Sequence, residues 1–67
     1  MAEGKVTFFD EQRGFGFIEP EEKGPDLFFH FSDIVMDGFK TIHQDARVLF
    51  NVIQTERGER AATIQEI

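Results

Sequence analysis

Residues with β-branched and aromatic side chains gather in five short runs with polar positions between them. The runs are Lys5 to Asp10, Phe15 to Glu19, Leu27 to Phe31, Arg47 to Gln54 and Arg60 to Gln65. Each has the length of a strand. No window of about twelve residues carries a helical stripe. The segments between the runs read as turns. Glu19 to Asp26 holds Pro20, Gly24 and Pro25, and proline removes ladder donors. Ser32 to Ala46 is irregular, and Ser32-Asp33-Ile34 suits a single 3₁₀ turn because Ser and Asp bond back to nearby amides. Thr55 to Glu59 reads as a hairpin turn with Gly58 available for a positive φ. Five short strands joined by turns predict an all-β barrel.

Successive residues of a strand face opposite sides, so parity sorts the side chains. Val48, Phe50 and Val52 share one face of the fourth run and form its core candidates. In the third run Leu27 and Phe29 share a face opposite Phe28 and His30. A titratable histidine belongs outside, and it takes Phe28 with it. In the second run Ile18 falls with Gly14 and Gly16, opposite Phe15 and Phe17. With Ile18 in the core, the outer surface carries Phe15, Phe17, Phe28 and His30. Phe8 and Phe9 have opposite parity, and parity alone leaves open which of them faces out.

Composition sharpens this picture. The chain has 67 residues, enough for one domain spanning 1–67, and a chain this short buries only about 60% of its unfolded surface. All nine aromatic residues are phenylalanine. Fully burying one contributes roughly 1.5–3 kcal/mol, a large share of the roughly 5 kcal/mol such a domain has in hand. Rings left outside forgo that stabilisation, so stability alone does not explain them. A flat ligand does, and unpaired nucleobases are flat. Base–aromatic stacking contributes about 1–3 kcal/mol per base. The charge points the other way at first: seven Lys and Arg against thirteen Asp and Glu give −6. Any nucleic-acid binding must then rest on stacking and on cations confined to one face.

Other classes find little support. There is no cysteine for disulfides or a thiolate zinc site, and His30 and His43 are too few for an all-histidine one. No metal or other cofactor is expected. No apolar stretch is long enough to span a membrane, and the first residues lack the apolar core of a secretory signal. A soluble cytoplasmic protein is the expectation. Neither a nucleophile elbow nor a phosphate loop is present, so no enzyme and no small-molecule substrate is expected.

Arg13-Gly14-Phe15-Gly16-Phe17-Ile18, followed by Leu27-Phe28-Phe29-His30-Phe31, resembles the two ribonucleoprotein motifs of the bacterial cold-shock protein family. The resemblance covers nearly the whole chain, taking in Glu3-Gly4-Lys5-Val6, Phe31-Ser32-Asp33-Ile34, Asp37-Gly38-Phe39-Lys40-Thr41, and Arg57-Gly58 with Ala61-Ala62. It implies a five-stranded antiparallel OB-fold barrel that binds single-stranded RNA and DNA and catalyses nothing. Carried over by position, the implied stacking residues are Phe8, Phe9, Phe15, Phe17, Phe28, His30, Phe31 and Phe39. The implied polar contacts are Lys5, Asp10, Arg13, Asp26, Lys40, Arg57 and Arg60. The resemblance also implies RNA-chaperone activity, effects on transcription and translation at low temperature, and a preference for pyrimidine-rich strands. A monomer is expected over a homodimer.

Thr7-Phe8-Phe9-Asp10 departs from the family's K-W-F-N. Phe8 has a smaller π surface than Trp, Thr7 removes a cation, and Asp10 puts a carboxylate in place of an amide. Each change lowers the expected affinity for a polyanion or alters base preference. Arg13 keeps the charge of the usual Lys and adds a planar group. Glu59 replaces a common proline. Asp45 replaces a common glycine, and Asp tolerates the left-handed region better than most residues. The competing reading is a protein-interaction module that shows its aromatic surface to a peptide, for which −6 suits a basic partner.

Overall fold

The five runs become five strands: β1 (Ala2–Asp10), β2 (Phe15–Pro20), β3 (Leu27–His30), β4 (Arg47–Thr55) and β5 (Gly58–Glu66). The structure, a computed structural model, describes residues 1–36 and 41–67. The strands close into a barrel in the order β1-β2-β3-β5-β4. Neighbours pair antiparallel, except that β3 meets β5 parallel at the single register pair Phe28↔Arg60. This is the all-β, five-stranded OB-fold barrel. β1 begins three residues earlier than the apolar run does. β3 stops at His30, and Phe31 joins the 3₁₀ turn Phe31–Asp33. Among the described residues no helix is long and apolar enough to cross a membrane.

The turns follow their side-chain chemistry. Asp10 Oδ1 accepts the backbone N–H groups of Gln12 at 3.0 Å and Arg13 at 3.1 Å, which folds the β1–β2 loop over its own carboxylate. In the β4–β5 turn, Thr55 Oγ1 accepts from the Arg57 N–H at 3.2 Å and donates to the Gly58 carbonyl at 2.7 Å. Asp45 sits at φ 73° and its N–H donates to the Val6 carbonyl at 2.7 Å, so the turn before β4 does form with Asp in the glycine position.

Inside lie Val6, Ile18, Leu27, Phe29, Ile34, Ile42, Val48, Phe50, Ala61 and Ile64. Parity placed Leu27, Phe29, Ile18, Val48 and Phe50 correctly. Val52 is the correction, being 45% exposed. Its cross-strand partner Ala61 is buried, so Val52 does stand on the core-facing side. It lies past the end of β1, whose last pairing with β4 is Ala2↔Phe50, and nothing closes over it there.

Two β-bulges break the simple alternation. Between Val6 and Phe8 the β1–β2 register slips, leaving Thr7 unpaired. Between Leu49 and Asn51 the β4–β5 register slips, with the extra residue in β5. Thr63, at φ 51°, occupies that second bulge, and Ala61 and Ile64 both reach the core although they are three residues apart.

Candidate nucleic-acid interface

The outer face of β1, β2 and β3 carries the rings. In β2, Gly16 and Ile18 are buried, which turns Phe15 and Phe17 outward. In β3, Leu27 and Phe29 are buried, which turns out Phe28 and His30. The Thr7 bulge settles what parity left open in β1. A regular strand would send Phe8 to the same side as buried Val6. The bulge reverses the parity, so Phe8 lies outside, opposite Phe17, and is 43% exposed. Thr7 Oγ1 faces the Phe17 carbonyl at 3.3 Å and the Asp26 carboxylate at 3.1 Å, which ties the bulge to β2 and the loop before β3. Phe9 takes the other side. Its ring lies 5.8 Å from Phe29 at an interplanar angle of 7° and packs on the core.

Cross-strand register arranges the outward residues in two rows. One is Phe8, Phe17, Phe28 and Arg60, and the other is Asp10, Phe15 and His30. The rings touch across both rows. Phe15 is 5.8 Å from Phe8, 6.1 Å from Phe17 and 5.9 Å from Phe28, nearly parallel to the last. Phe17 is 6.3 Å from Phe8 and 6.1 Å from Phe28. Phe31, in the 3₁₀ turn, extends this surface with its ring 4.6 Å from His30.

Two glycines make the face possible. A Cβ on Gly16 would come within 2.3 Å of the Phe8 carbonyl oxygen and 2.7 Å of the Phe29 ring, so bulge and core press on it from both sides. Gly14 sits at φ 74°, and a Cβ there would meet the Phe31 ring at 2.8 Å. The repeated glycines of the first motif are therefore seats for the backbone of one ring and the face of another.

Cations stand at the margins. Arg13 is exposed in the β1–β2 loop, 3.9 Å from Asp10. Lys5 is exposed on the same outer face, opposite Glu19. Arg57 is exposed in the β4–β5 turn and lines, with Phe28, Glu56, Glu59 and Arg60, a shallow cavity of about 580 Å³. Among the described residues Lys5 and Arg57 form no ion pair. Arg60 differs, being paired with Asp33 and lying with its guanidinium carbon 5.9 Å from the Phe28 ring centroid. Asp26 is exposed beside Thr7, and Asp10 is half-buried and occupied with its loop. Phe39 and Lys40 lie outside the described residues.

Sequence reasoning passed over Thr7 as a builder of the site, and it placed Asp33 in a 3₁₀ turn bonding to nearby amides without linking it to the aromatic face. Asp33 Oδ2 accepts the His30 backbone N–H at 3.0 Å, while His30 Nδ1 accepts the Ser32 N–H at 3.3 Å. This reciprocal cap has a readable signal, a carboxylate three residues after the capping residue.

OB-fold barrels take oligonucleotides on the face of strands 2 and 3 and with the loops joining strands 1–2 and 4–5. Here that face and those loops hold Phe15, Phe17, Phe28, His30, Arg13 and Arg57, the positions an OB-fold offers to an oligonucleotide. The 'Cold-shock' DNA-binding domain model matches residues 2–67. Cold shock protein CspC of Bacillus subtilis is 47% identical over 66 residues, covering 98% of each chain. Cold shock protein CspB of Bacillus caldolyticus is 42% identical over 67 residues, covering both chains in full. Among solved structures, Drosophila Unr CSD456 matches with a TM-score of 0.82 at 30% identity; the match takes in 98% of this chain and 26% of that one. The chain belongs to the cold-shock domain family, a family of nucleic-acid-binding domains.

Proposed function

We propose that this protein binds single-stranded RNA and DNA by stacking unpaired bases on its phenylalanine face, with low sequence specificity. The supporting observation is the unbroken contact of Phe8, Phe15, Phe17 and Phe28 on a face open to solvent, continued by His30 and Phe31. Every base has a π face, so such a surface tolerates sequence variation. Bases in a duplex are already stacked and paired, which selects for single strands. Lys5, Arg13 and Arg57, and Lys40 from the sequence reading, meet the phosphates, while Asp10 and Asp26 accept from base edges. Phe39, which lies outside the described residues, is kept in the stacking set on the family resemblance alone, and Phe9 backs the platform from beneath.

The footprint is about 6–7 nucleotides, within the range of one OB fold. Holding bases apart prevents RNA from pairing with itself. An RNA chaperone that acts on transcription and translation in the cold cytoplasm follows from that property. Pyrimidine-rich strands are preferred, and the protein acts as a monomer. The changes at Thr7, Phe8 and Asp10 weaken its binding relative to the family's usual motif or alter its base preference.

The test is a titration of labelled oligo-dT, oligo-dA and duplex DNA of equal length, labelled because the chain has no Trp. Oligo-dT is expected to bind best and the duplex least. Binding to none of the three sinks the reading and favours a protein-interaction module.

A further inference from the structure

We infer that Asp33 and Arg60 form a clamp that sets the β3 edge of the aromatic face, with Asp33 as a positioning residue and Arg60 committed to it rather than to phosphate. The inference rests on the stacking reading above and adds residues to it.

Asp33 and Arg60 are 27 residues apart in sequence and meet beside the weakest seam of the barrel. β3 and β5 share only the pair Phe28↔Arg60, followed by the isolated bridge Ile34↔Ile64. One carboxylate oxygen of Asp33 serves two partners there. It accepts the backbone N–H of His30 at 3.0 Å and an Nη2 hydrogen of Arg60. His30 is thereby held at the end of β3. Arg60, held at the same oxygen, lies over Phe28, its register partner. A single acidic side chain thus holds two neighbours on the stacking surface, His30 directly and Phe28 through the cation–π contact of Arg60.

Burial argues that the pair is a fixture. The Asp33 side chain is 13% exposed and that of Arg60 is 29% exposed. Arg60 Nε is shielded from solvent and has no protein acceptor. An arginine free to swing toward a phosphate would keep that donor in water. Here the donor stays covered while Nη2 is anchored on Asp33 and the guanidinium carbon stands 5.9 Å from the Phe28 ring centroid. Arg13 and Lys5 show the contrast, reaching into solvent from loop and strand.

Simple electrostatics predicts the opposite of the clamp. Asp33→Asn removes a negative charge and releases a cation beside the ligand, so a polyanion should bind more tightly and with a steeper salt dependence, by about 0.7 in log–log slope for one phosphate. The clamp predicts weaker binding of oligo-dT by about 3–10-fold, a part of one stacking contact. Arg60→Gln should weaken it by a similar factor and leave the slope as in the unmodified protein. The double variant should be no worse than either single one, because both remove the same link.

Thermal unfolding shows whether each variant folds. Arg60→Lys, which keeps the charge but not the plane, serves if Arg60→Gln does not, and should leave the slope intact while binding stays weakened. Aromatic NMR resonances of Phe28 and His30 in the ligand-free protein should shift in Asp33→Asn and Arg60→Gln. Unmoved resonances, or tighter binding by Asp33→Asn, overturn the clamp. If the unmodified protein binds no oligonucleotide, the stacking reading fails, and the resonances alone decide whether the clamp exists.

Discussion

Two regions of this barrel expose apolar side chains to a similar degree, and only one of them looks like a binding surface. On the β1–β3 face, Phe8 and Phe28 are 43% and 38% exposed. On the outer half of the β4–β5 hairpin, Val52 and Ile53 are 45% and 41% exposed. Contiguity and charge separate them. The face is a sheet of rings in contact, flanked by Arg13 and Arg57. Val52 and Ile53 point to opposite sides of their hairpin. Val52 overlooks the open end of the barrel, where a cavity of about 840 Å³ is lined by Leu27 and Phe50 together with Glu3, Glu21, Glu22 and Glu59. Four carboxylates against the one cationic side chain lining it, Lys23, disfavour phosphate there, and the lining ring, Phe50, is wholly buried and offers bases no π surface. Scattered exposed apolar residues are ordinary on small proteins, whereas a continuous patch asks for a ligand.

The sharpest way to break this comparison uses adjacent residues of β3. Phe29 is fully buried and Phe28 is its outward neighbour. Phe29→Ala should cost about 3–5 kcal/mol of stability. That consumes most of the stability of a small domain, so urea unfolding should find the variant largely unfolded in buffer. Phe28→Ala and Phe15→Ala should unfold cooperatively, near the unmodified midpoint. They should instead lose about 1–3 kcal/mol of oligo-dT affinity, roughly 5- to 150-fold. Unfolding of both face variants would mean that the rings hold the barrel together and are not there for a ligand.

That distinction was legible in the sequence wherever strands are regular. Alternation around Ile18 and His30 separated Phe15, Phe17 and Phe28 from Leu27 and Phe29. Turn chemistry located the β4–β5 hairpin, and the family resemblance placed a turn at Asp45. Alternation fails at a bulge, and nothing in the run Val6-Thr7-Phe8-Phe9 announces one, because the slip is set by how β1 pairs with β2. The orientation of Phe8 and Phe9 therefore needed the fold. Val52 needed it for another reason: parity gives the side of a sheet but not where the covering strand ends. The Asp33–Arg60 pair was out of reach, since no local pattern brings together residues of the 3₁₀ turn and β5.

A smaller effect tests the charges at the margin of the face. Arg13→Gln and Lys5→Gln should each flatten the log–log dependence of affinity on salt by about 0.7, the share of one phosphate on a single strand. The unmodified slope should be shallow, because few cations border the rings. A slope steeper than about −4 would mean that phosphate contacts, rather than stacking, dominate. Titration of oligo-dT across a range of salt concentrations measures both quantities.

The smallest effect is expected at Val52, and its smallness is informative. Val52 has the parity of the core but no cover, so Val52→Thr exchanges a methyl group for a hydroxyl already in reach of water. Stability should change by no more than about 0.5 kcal/mol, as for surface substitutions, and oligo-dT affinity should stay the same. The same substitution at Val48, four residues earlier on β4 and wholly buried, would place an unpaired hydroxyl among Phe50, Val6 and their neighbours, and burying such a group costs about 1–3 kcal/mol. A large loss at Val52 would mean that the barrel end closes in solution. Weakened nucleic-acid binding with stability intact would mean that the ligand runs off the ring face onto the hairpin. Either result would erase the contrast between the two exposed regions, because exposure at Val52 would then be as consequential as exposure at Phe28.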